Sequence, residues 1–406
     1  MRRVLPATFL LLILIMASLR ADAGSVLIQA PDSIKMDEVV LSTEKDFLSD
    51  KTQVVSIESE GESKTLKDKI RDIYNLEIYK YDEPSYLFGE ILTKKYGEES
   101  ALESTHIWGA YGTDFDVIFN DNGTITNNYN YNAVNIGFDG KFKDDNADFR
   151  VMMGFPPRSH KNFTKTMFAD VFIASNRIPH HRVQAGYYRP RVGMEGGNSA
   201  YTLPFVSRAQ ISRNFGTARK IGARIIGDYS LADYDFGVYS SGTFFQDYFP
   251  GEEFTGWLNL KPLGNTYGKY GNLKLGTGVD MGHRRDNFCV TGAYAGYEYK
   301  KFMADVEWAN ANGYNGQVNL SDVHKHASGF YTTIGYMLTK KAQLLARYDV
   351  FDPDKNMMKN KKREYSFGLN YFIKGQALRV TLNYIFCQND SMRNSHRLVL
   401  GTQILF

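Results

Sequence analysis

From residue 105 to the C-terminus, apolar and polar side chains alternate with a period of two. In the last segment Leu398, Leu400 and Ile404 share one parity, whereas Arg397 and Gln403 share the other. This alternation is typical of β-strands whose two faces meet different surroundings. We therefore predict strands with an apolar face on one side and a polar face on the other.

Sixteen segments follow this pattern. They are His106–Phe119, Asn132–Phe142, Asp148–Phe155, Phe168–Ile178, His181–Gly193, Ile221–Ser230, Tyr234–Gly242, Thr255–Leu263, Gly271–Met281, Phe288–Lys300, Phe302–Asn312, Ala327–Leu338, Ala342–Phe351, Arg363–Lys374, Ala377–Gln388 and Ser395–Phe406. An even number of antiparallel strands, each roughly ten residues long, is typical of outer-membrane barrels. The predicted fold class is therefore all-β, a 16-stranded antiparallel transmembrane β-barrel. A soluble sandwich or propeller fits less well, because its strands seldom run this long with so many outward aromatic residues.

The links between these segments alternate in length. Short links such as Pro179–His180 and Gly375–Gln376 alternate with long polar ones such as 313–326 and 352–362. Bacterial barrels have short periplasmic turns and longer outer loops. Both ends of the barrel are thus expected on the periplasmic side, and a water-filled interior is expected behind the polar faces.

The first 104 residues differ from the rest of the chain. Arg2 and Arg3 precede the apolar run Phe9–Met16, and a small-x-small pattern ends at Ala23, which predicts a signal peptide over residues 1–23. Residues 24–104 are polar and are expected to form a periplasmic extension or linker, with an amphipathic helix at Lys64–Ile78. Packing of this helix on a neighbour and a short coiled coil are both open interpretations. The barrel is expected over residues 105–406.

Charge and cysteine content narrow the class of protein. Lys and Arg number 48 against 45 Asp and Glu, so the formal net charge of +3 gives no indication of nucleic-acid binding. Cys289 and Cys387 are the only cysteines, too few for a disulfide scaffold in an exported chain. They lie on predicted strands five positions apart, beyond the ~7 Å Cα separation that a disulfide allows. We predict two free thiols near the outer rim.

No pattern predicts catalysis, a cofactor or a metal. The histidines at 180–181 and 324–326 lie in predicted links, where solvated histidines are common. Residues 352–356 resemble the start of a calcium loop, but Met357 stands where glycine is required and Arg363 where the bidentate glutamate belongs. The glycines around Gly276 precede no helix, which excludes a nucleotide loop. An enzyme is not expected.

Several motifs together resemble a known family. They are Gln184–Pro190, Leu203–Arg208, Arg219–Tyr229, Arg347–Asp354 and Gly368–Gly375, and Phe406 provides a C-terminal aromatic residue. In order and spacing they resemble the phosphate-selective porin O and P family of the bacterial outer membrane. The resemblance implies a sixteen-stranded porin in outer-membrane lipid, usually a homotrimer, whose third outer loop folds inward as a constriction.

The segment 193–220 is the predicted third loop, and it is basic. It carries Arg208, Arg213, Arg219 and Lys220 against Glu195 alone. A cationic constriction lowers the barrier for anions, and the guanidinium fork matches phosphate oxygens. If the loop lies in the pore, as the resemblance implies, these residues form an anion path.

The parity of the barrel strands places more charges on the inner wall. The inward cations are Arg224, Arg347, Arg379 and Arg397, and the inward carboxylates are Asp228, Asp305, Glu307 and Asp349. We expect the cations to extend the anion path and part of the wall to be ion-paired. The predicted function is passive diffusion of small hydrophilic solutes with a preference for phosphate-like anions. Alternatively, the loop arginines lie on the outer face of the loop or pair with lumen carboxylates. A further alternative is that the barrel is an adhesin or structural protein that transports nothing.

Overall fold

The structure is a computed structural model. It describes residues 87, 92–121, 123, 125–143, 146–155, 167–242, 250–264, 270–284, 286–313 and 325–406. The predicted signal peptide and the predicted helix at Lys64–Ile78 lie outside the described residues. In the described ranges no helix is both long enough and apolar enough to span a membrane.

Sixteen antiparallel strands close into a barrel, and a short strand β1 precedes them. The strands are β1 Thr93–Lys95, β2 Leu102–Asn120, β3 Ile125–Phe142, β4 Ala147–Gly154, β5 Phe168–Ser175, β6 His181–Tyr188, β7 Lys220–Asp228, β8 Ala232–Ser240, β9 Glu252–Leu260, β10 Asn272–His283, β11 Asn287–Tyr299, β12 Phe302–Asn312, β13 His326–Met337, β14 Ala342–Asp352, β15 Lys362–Lys374, β16 Leu378–Asn389 and β17 Ser395–Leu405. Each strand from β2 to β17 pairs with its neighbours in sequence, and β17 pairs with β2 to close the ring. The predicted fold class is confirmed.

The observed strands match the predicted segments, with two larger differences. Strand β6 ends at Tyr188 instead of Gly193. Pro190 follows closely and has no N–H to donate to a β ladder, which gives the strand a physical reason to end. Strand β3 begins at Ile125 instead of Asn132, because it pairs with β2 up to Phe119.

The two faces of the strands also follow the predicted parity. On β15, Phe367 and Leu369 are exposed on the outside, whereas Ser366 and Asn370 are buried on the inside. An apolar outer surface matches lipid hydrocarbon, and a polar interior matches water or polar protein groups. The barrel therefore has the inside-out distribution that the alternation predicts.

The barrel seam is closed by the C-terminus. The ring of Phe406 lies over Gly109 of β2, and the two residues exchange main-chain hydrogen bonds. The first residues of β2 extend past the end of β17, where its pairing stops at Leu405 opposite Ala110. On that side they would form an unpaired strand edge. Strand β1 pairs with that edge, with Thr93 opposite His106. Covering an open strand edge prevents pairing with other chains.

The connection between β6 and β7, residues 189–219, is called the inserted loop below. It contains the short helix α1, Gln210–Phe215. Ile211 and Phe215 of α1 pack against inward-facing residues of β11–β14, including Tyr331. Phe205 packs lower on the same wall, against residues of β12–β15. Burial of each of these side chains contributes about 1.5–3 kcal/mol, so the loop is held against the wall by hydrophobic packing as well as by polar contacts.

Candidate functional site

The inserted loop enters the barrel through a tight turn at Gly193. The main-chain N–H groups of Met194 and Glu195 donate to the Glu307 carboxylate on β12 at 3.0 and 3.3 Å. Gly193 has φ +76°, and a Cβ added there would lie 1.9 Å from Glu307 Oε1. Only glycine therefore fits both the backbone conformation and the close approach to this carboxylate.

The Glu195 side chain then connects the inserted loop to β14 and to the start of α1. Its Oε1 accepts from Arg347 Nη2 of β14 at 2.6 Å, and its Oε2 accepts from the N–H of Ala209 at 2.6 Å. Ala209 is the N-cap of α1 and has no capping side chain. Asp349 Oδ2 accepts the next N–H, from Gln210, at 2.7 Å. Two carboxylates thus satisfy the first N–H groups of the helix, which are otherwise unpaired.

Side chains of the last strands bind the main chain of the loop. Asn370 Nδ2 donates to the Pro204 carbonyl at 2.9 Å. Arg379 Nη1 donates to the Leu203 carbonyl at 2.7 Å. Together with the apolar packing, these bonds fix most of the loop against β11–β17. On the other side Asn135 of β3 donates to the Tyr201 hydroxyl, and Tyr201 packs on Met152 of β4. The strands β3–β8 are called the facing wall below.

Six of the eight cations predicted for the anion path form ion pairs. The pairs are Arg213–Glu364 at 2.9 Å, Arg219–Asp170 at 2.8 Å, Lys220–Glu253, Arg224–Asp235 at 2.8 Å, Arg347–Glu195 at 2.6 Å and Arg397–Asp116 at 2.6 Å. Arg347 and Arg379 are buried beneath the loop. A carboxylate neutralises each of these six cations, so together they add little net positive charge to the lumen. This is the alternative interpretation, in which the predicted cations are ion-paired.

Three of the four predicted inner carboxylates are buried, and the ion pairs of the wall are diagonal. Asp305, Glu307 and Asp349 are buried, but Asp228 lies at the end of β7, mostly exposed, 3.2 Å from Lys261. The wall pairs join residues displaced along adjacent strands. For example, Arg224 lies opposite Gly237 and reaches Asp235, two residues farther along β8. Such diagonal contacts depend on strand register, which parity alone does not give.

Two guanidinium groups of the loop stand apart from these pairs. Arg189 Nη1 and Arg208 Nη2 donate to the same acceptor, the Asn198 carbonyl, at 3.1 and 2.5 Å. Within the part of the chain that the structure describes, neither forms an ion pair with a carboxylate. Burial and the neighbouring charge of Arg219 lower the pKa of both arginines, whereas the charge of Asp170 acts in the opposite direction at Arg189 and that of Glu195 at Arg208. Arginine nevertheless stays charged in proteins, so this cluster holds more positive than negative charge.

Two further arginines line the facing wall. Arg150 on β4 pairs with Asp139 at 2.7 Å, and Arg182 on β6 pairs with Asp148. Both guanidinium groups lie over the ring of Phe172. Their side chains keep 36% and 29% of their surface exposed, so they remain accessible to solutes.

Sequence reasoning missed Arg150, Arg182 and Arg189. The first two share the inward parity of Met152 and Gln184, so the alternation itself could have identified them. Arg189 lies just beyond the true end of β6, inside a segment that had been predicted as strand. Its place in the inserted loop followed only from the early end of that strand.

Comparison with known proteins agrees with this architecture. The family model of phosphate-selective porin O and P matches residues 269–405. The resemblance seen in the motifs is thereby confirmed for the C-terminal third of the chain. No curated protein sequence matches. A porin-family match, a closed barrel and an apolar outer surface place the protein in the bacterial outer membrane.

Solved porins have similar folds. The anion-selective porin of Comamonas acidovorans superposes with a TM-score of 0.55 at 10% identity, covering 74% of this chain and 99% of that chain. The outer membrane channel DcaP of Acinetobacter baumannii gives 0.54 at 10% identity, covering 77% and 99%. The trimer form of OmpT of Vibrio cholerae gives 0.51 at 12% identity, covering 74% and 99%. At these identities the similarity establishes a porin-type barrel.

Proposed function

We propose that the protein is a passive outer-membrane porin that prefers small anions, including phosphate. The observation that carries the preference is the pair of guanidinium groups at Arg189 and Arg208, which converge on one carbonyl oxygen. Adjacent Arg219 has Asp170 as its partner, and Glu195 is engaged by Arg347. Of Arg189, Arg208 and Arg219, therefore, only Arg219 has a carboxylate as its ion-pair partner among the described residues.

A mobile anion near this cluster would supply the missing negative charge. At an effective dielectric constant of about 20, two unit charges 4 Å apart attract by roughly 4 kcal/mol before desolvation is subtracted. The net attraction is smaller, which suits a channel, because an anion that enters must also leave. The guanidinium fork additionally matches two oxygens of one phosphate.

The ion pairs on the facing wall make this a preference and not strict selectivity. Arg150 and Arg182 offer donors to a passing anion, but Asp139 and Asp148 beside them repel it. These same carboxylates attract a passing cation. We therefore expect chloride and phosphate to permeate more readily than potassium, with both signs conducted.

Planar-bilayer recordings test this function. The purified protein should give discrete conductance steps, and its reversal potential in a KCl gradient should indicate anion preference. Replacing Arg189→Gln and Arg208→Gln together should lower the chloride-to-potassium permeability ratio about threefold, the factor that ~0.7 kcal/mol of net attraction gives. The control is Lys340→Gln with Lys341→Gln, which removes two charges at the short turn between β13 and β14.

Two results would contradict the proposal. An unchanged permeability ratio in the Arg189/Arg208 variant would place any selectivity elsewhere on the wall. The absence of discrete steps from a correctly folded barrel would favour an adhesive or structural role. The barrel and the porin-family match point to a channel instead of an enzyme.

The proposal includes a homotrimer in the membrane. One protein of similar fold, OmpT of Vibrio cholerae, has a trimer form. Native mass spectrometry of the protein in mild detergent should give three chains per particle. A monomer under conditions that preserve the conductance would contradict the trimer without affecting the channel.

A further inference from the structure

The outer surface of β13–β17 and β2 carries a row of rings near the loop end of the barrel. Its members, called the aromatic row, are Phe330, Tyr348, Tyr365, Phe386, His396 and Phe119. Successive ring centroids are 4.9 to 6.4 Å apart. Aromatic rings at this level of a barrel are typical of the membrane–water interface.

An apolar cleft lies on the membrane side of the aromatic row. Its volume is about 490 Å³. It is lined by Ile334, Leu344, Ala346, Phe367, Leu382 and Leu398 among others, and Tyr384 forms part of its wall. The Tyr384 hydroxyl lies 2.7 Å from Nδ1 of His396, so the cleft is continuous with the row. This volume falls within the range of sites that bind small molecules, and hydrocarbon matches its lining.

The loop end above the aromatic row is basic. Residues 352–363 contain five basic and two acidic residues, and Asp390 of the neighbouring loop pairs with Arg363 and also attracts Lys361. The two acids, Asp352 and Asp354, accept main-chain N–H groups within the turn. Lys359 and Lys361 are exposed and form no ion pair with other described residues. Their ammonium groups are therefore available to an anion at the membrane surface.

We infer that this sector binds a phosphorylated glycolipid of the outer leaflet, of the lipid A type. Lys359 and Lys361 hold its phosphate groups, the aromatic row contacts its sugar and ester region, and the cleft takes an acyl chain. Clusters of basic side chains beside the membrane attract anionic lipid headgroups. Each buried methylene of the chain adds to the binding.

The vertical order of these features favours a lipid over other occupants. Cationic groups, interfacial rings and an apolar cleft succeed one another from the loop end inward, which is the order of headgroup, interface and hydrocarbon in a lipid. Free phosphate would use the lysines but leave the cleft without a role.

Thermal unfolding of the lipid-stripped, detergent-solubilised protein tests the inference. Diphosphoryl lipid A should raise the melting temperature in a saturable way, whereas phosphatidylglycerol should do so more weakly. Any effect of inorganic phosphate belongs to the pore arginines and should be the same with and without Lys359 and Lys361. Lys359→Asn with Lys361→Asn should weaken the lipid A effect by about tenfold in half-saturating concentration. Ala346→Trp, which fills the cleft, should weaken it without changing the basic rim.

The matched control lies on the same strands at the opposite end. Lys340→Asn with Lys341→Asn removes the same charge from the turn between β13 and β14 and should leave the lipid A effect unchanged. Equal loss in both lysine pairs, or equal effects of lipid A and phosphatidylglycerol, would show a nonspecific response to anionic surfaces. Stabilisation by inorganic phosphate that disappears in the Lys359/Lys361 variant would overturn the lipid assignment. A change of oligomeric state in Ala346→Trp without loss of lipid A binding would assign the cleft to a protein contact.

Discussion

Arg347 of β14 and Glu195 of the inserted loop form an ion pair of 2.6 Å, in which the side chains are only 4% and 5% exposed. The two residues are 152 positions apart in sequence. The same Glu195 carboxylate also accepts the N–H of Ala209 at the start of α1. One carboxyl group thus connects the barrel wall, the entry of the loop and its helix, and the guanidinium groups of the loop are positioned through it.

Glu195→Gln should destabilise the barrel and loosen the inserted loop. The substitution leaves the Arg347 guanidinium buried without a counter-charge, which costs about 3–5 kcal/mol. We expect a lower melting temperature and additional conductance levels in single-channel recordings. The control is Glu252→Gln, which removes an exposed carboxylate at the loop end of β9. If both variants melt alike and conduct alike, the Glu195–Arg347 pair does not hold the loop.

Gly193→Ala should change conductance, whereas Gly264→Ala should not. Both glycines have left-handed backbones, with φ +76° and +77°, so the cost of a Cβ in that conformation, about 1–3 kcal/mol, is shared. Only at Gly193 would the Cβ also collide with Glu307, because nothing lies within 4 Å of the corresponding position at Gly264. Single-channel recordings of both variants separate the collision from backbone strain. Equal effects would attribute the result to strain alone.

Arg150→Gln should shift ion preference toward cations, and adding Asp139→Asn should reverse the shift. The single substitution leaves the Asp139 carboxylate facing the lumen without its partner, whereas the double substitution removes equal and opposite charges. Reversal potentials in a KCl gradient measure both effects. A double variant that remains as cation-preferring as the single one would show that geometry, and not charge balance, governs this part of the wall.

Labelling of the denatured, unreduced protein should find two free thiols. Cys289 on β11 and Cys387 on β16 form no disulfide, in agreement with the separation predicted from strand count. Maleimide labelling followed by intact-mass measurement gives the number directly. A mass without added label would contradict the placement of these strands.

Strand positions and faces could be predicted because they depend on local pattern. Every predicted segment overlaps an observed strand, and the residues expected to face lipid on β15, such as Phe367 and Leu369, are exposed. A barrel in a membrane must satisfy every main-chain polar group and separate apolar from polar faces at each residue. This requirement produces the alternation of apolar and polar residues, with a period of two, in the sequence.

The pairing of charges could not be predicted in the same way. Parity placed Arg224 and Arg397 on the inner wall correctly, but their partners are Asp235 and Asp116, reached diagonally across neighbouring strands. Register sets those contacts, and the lengths of the intervening turns set the register. The resemblance of the motifs to a porin family supplied the expectation of an inward loop, but it gave neither the contacts of that loop nor the contribution of Arg189.

The sequence by itself determined the number of strands, their inward and outward faces and the separation of the two thiols, because each of these follows from local alternation or from strand count. Only the tertiary structure decided which charges stay uncompensated. Arg213 and Arg219 meet Glu364 and Asp170, whereas Arg208 and Arg189 meet main-chain carbonyls instead. The physical reason is that the electrostatic effect of a guanidinium depends on the distance to its nearest carboxylate, and folding brings together residues that are far apart in the chain.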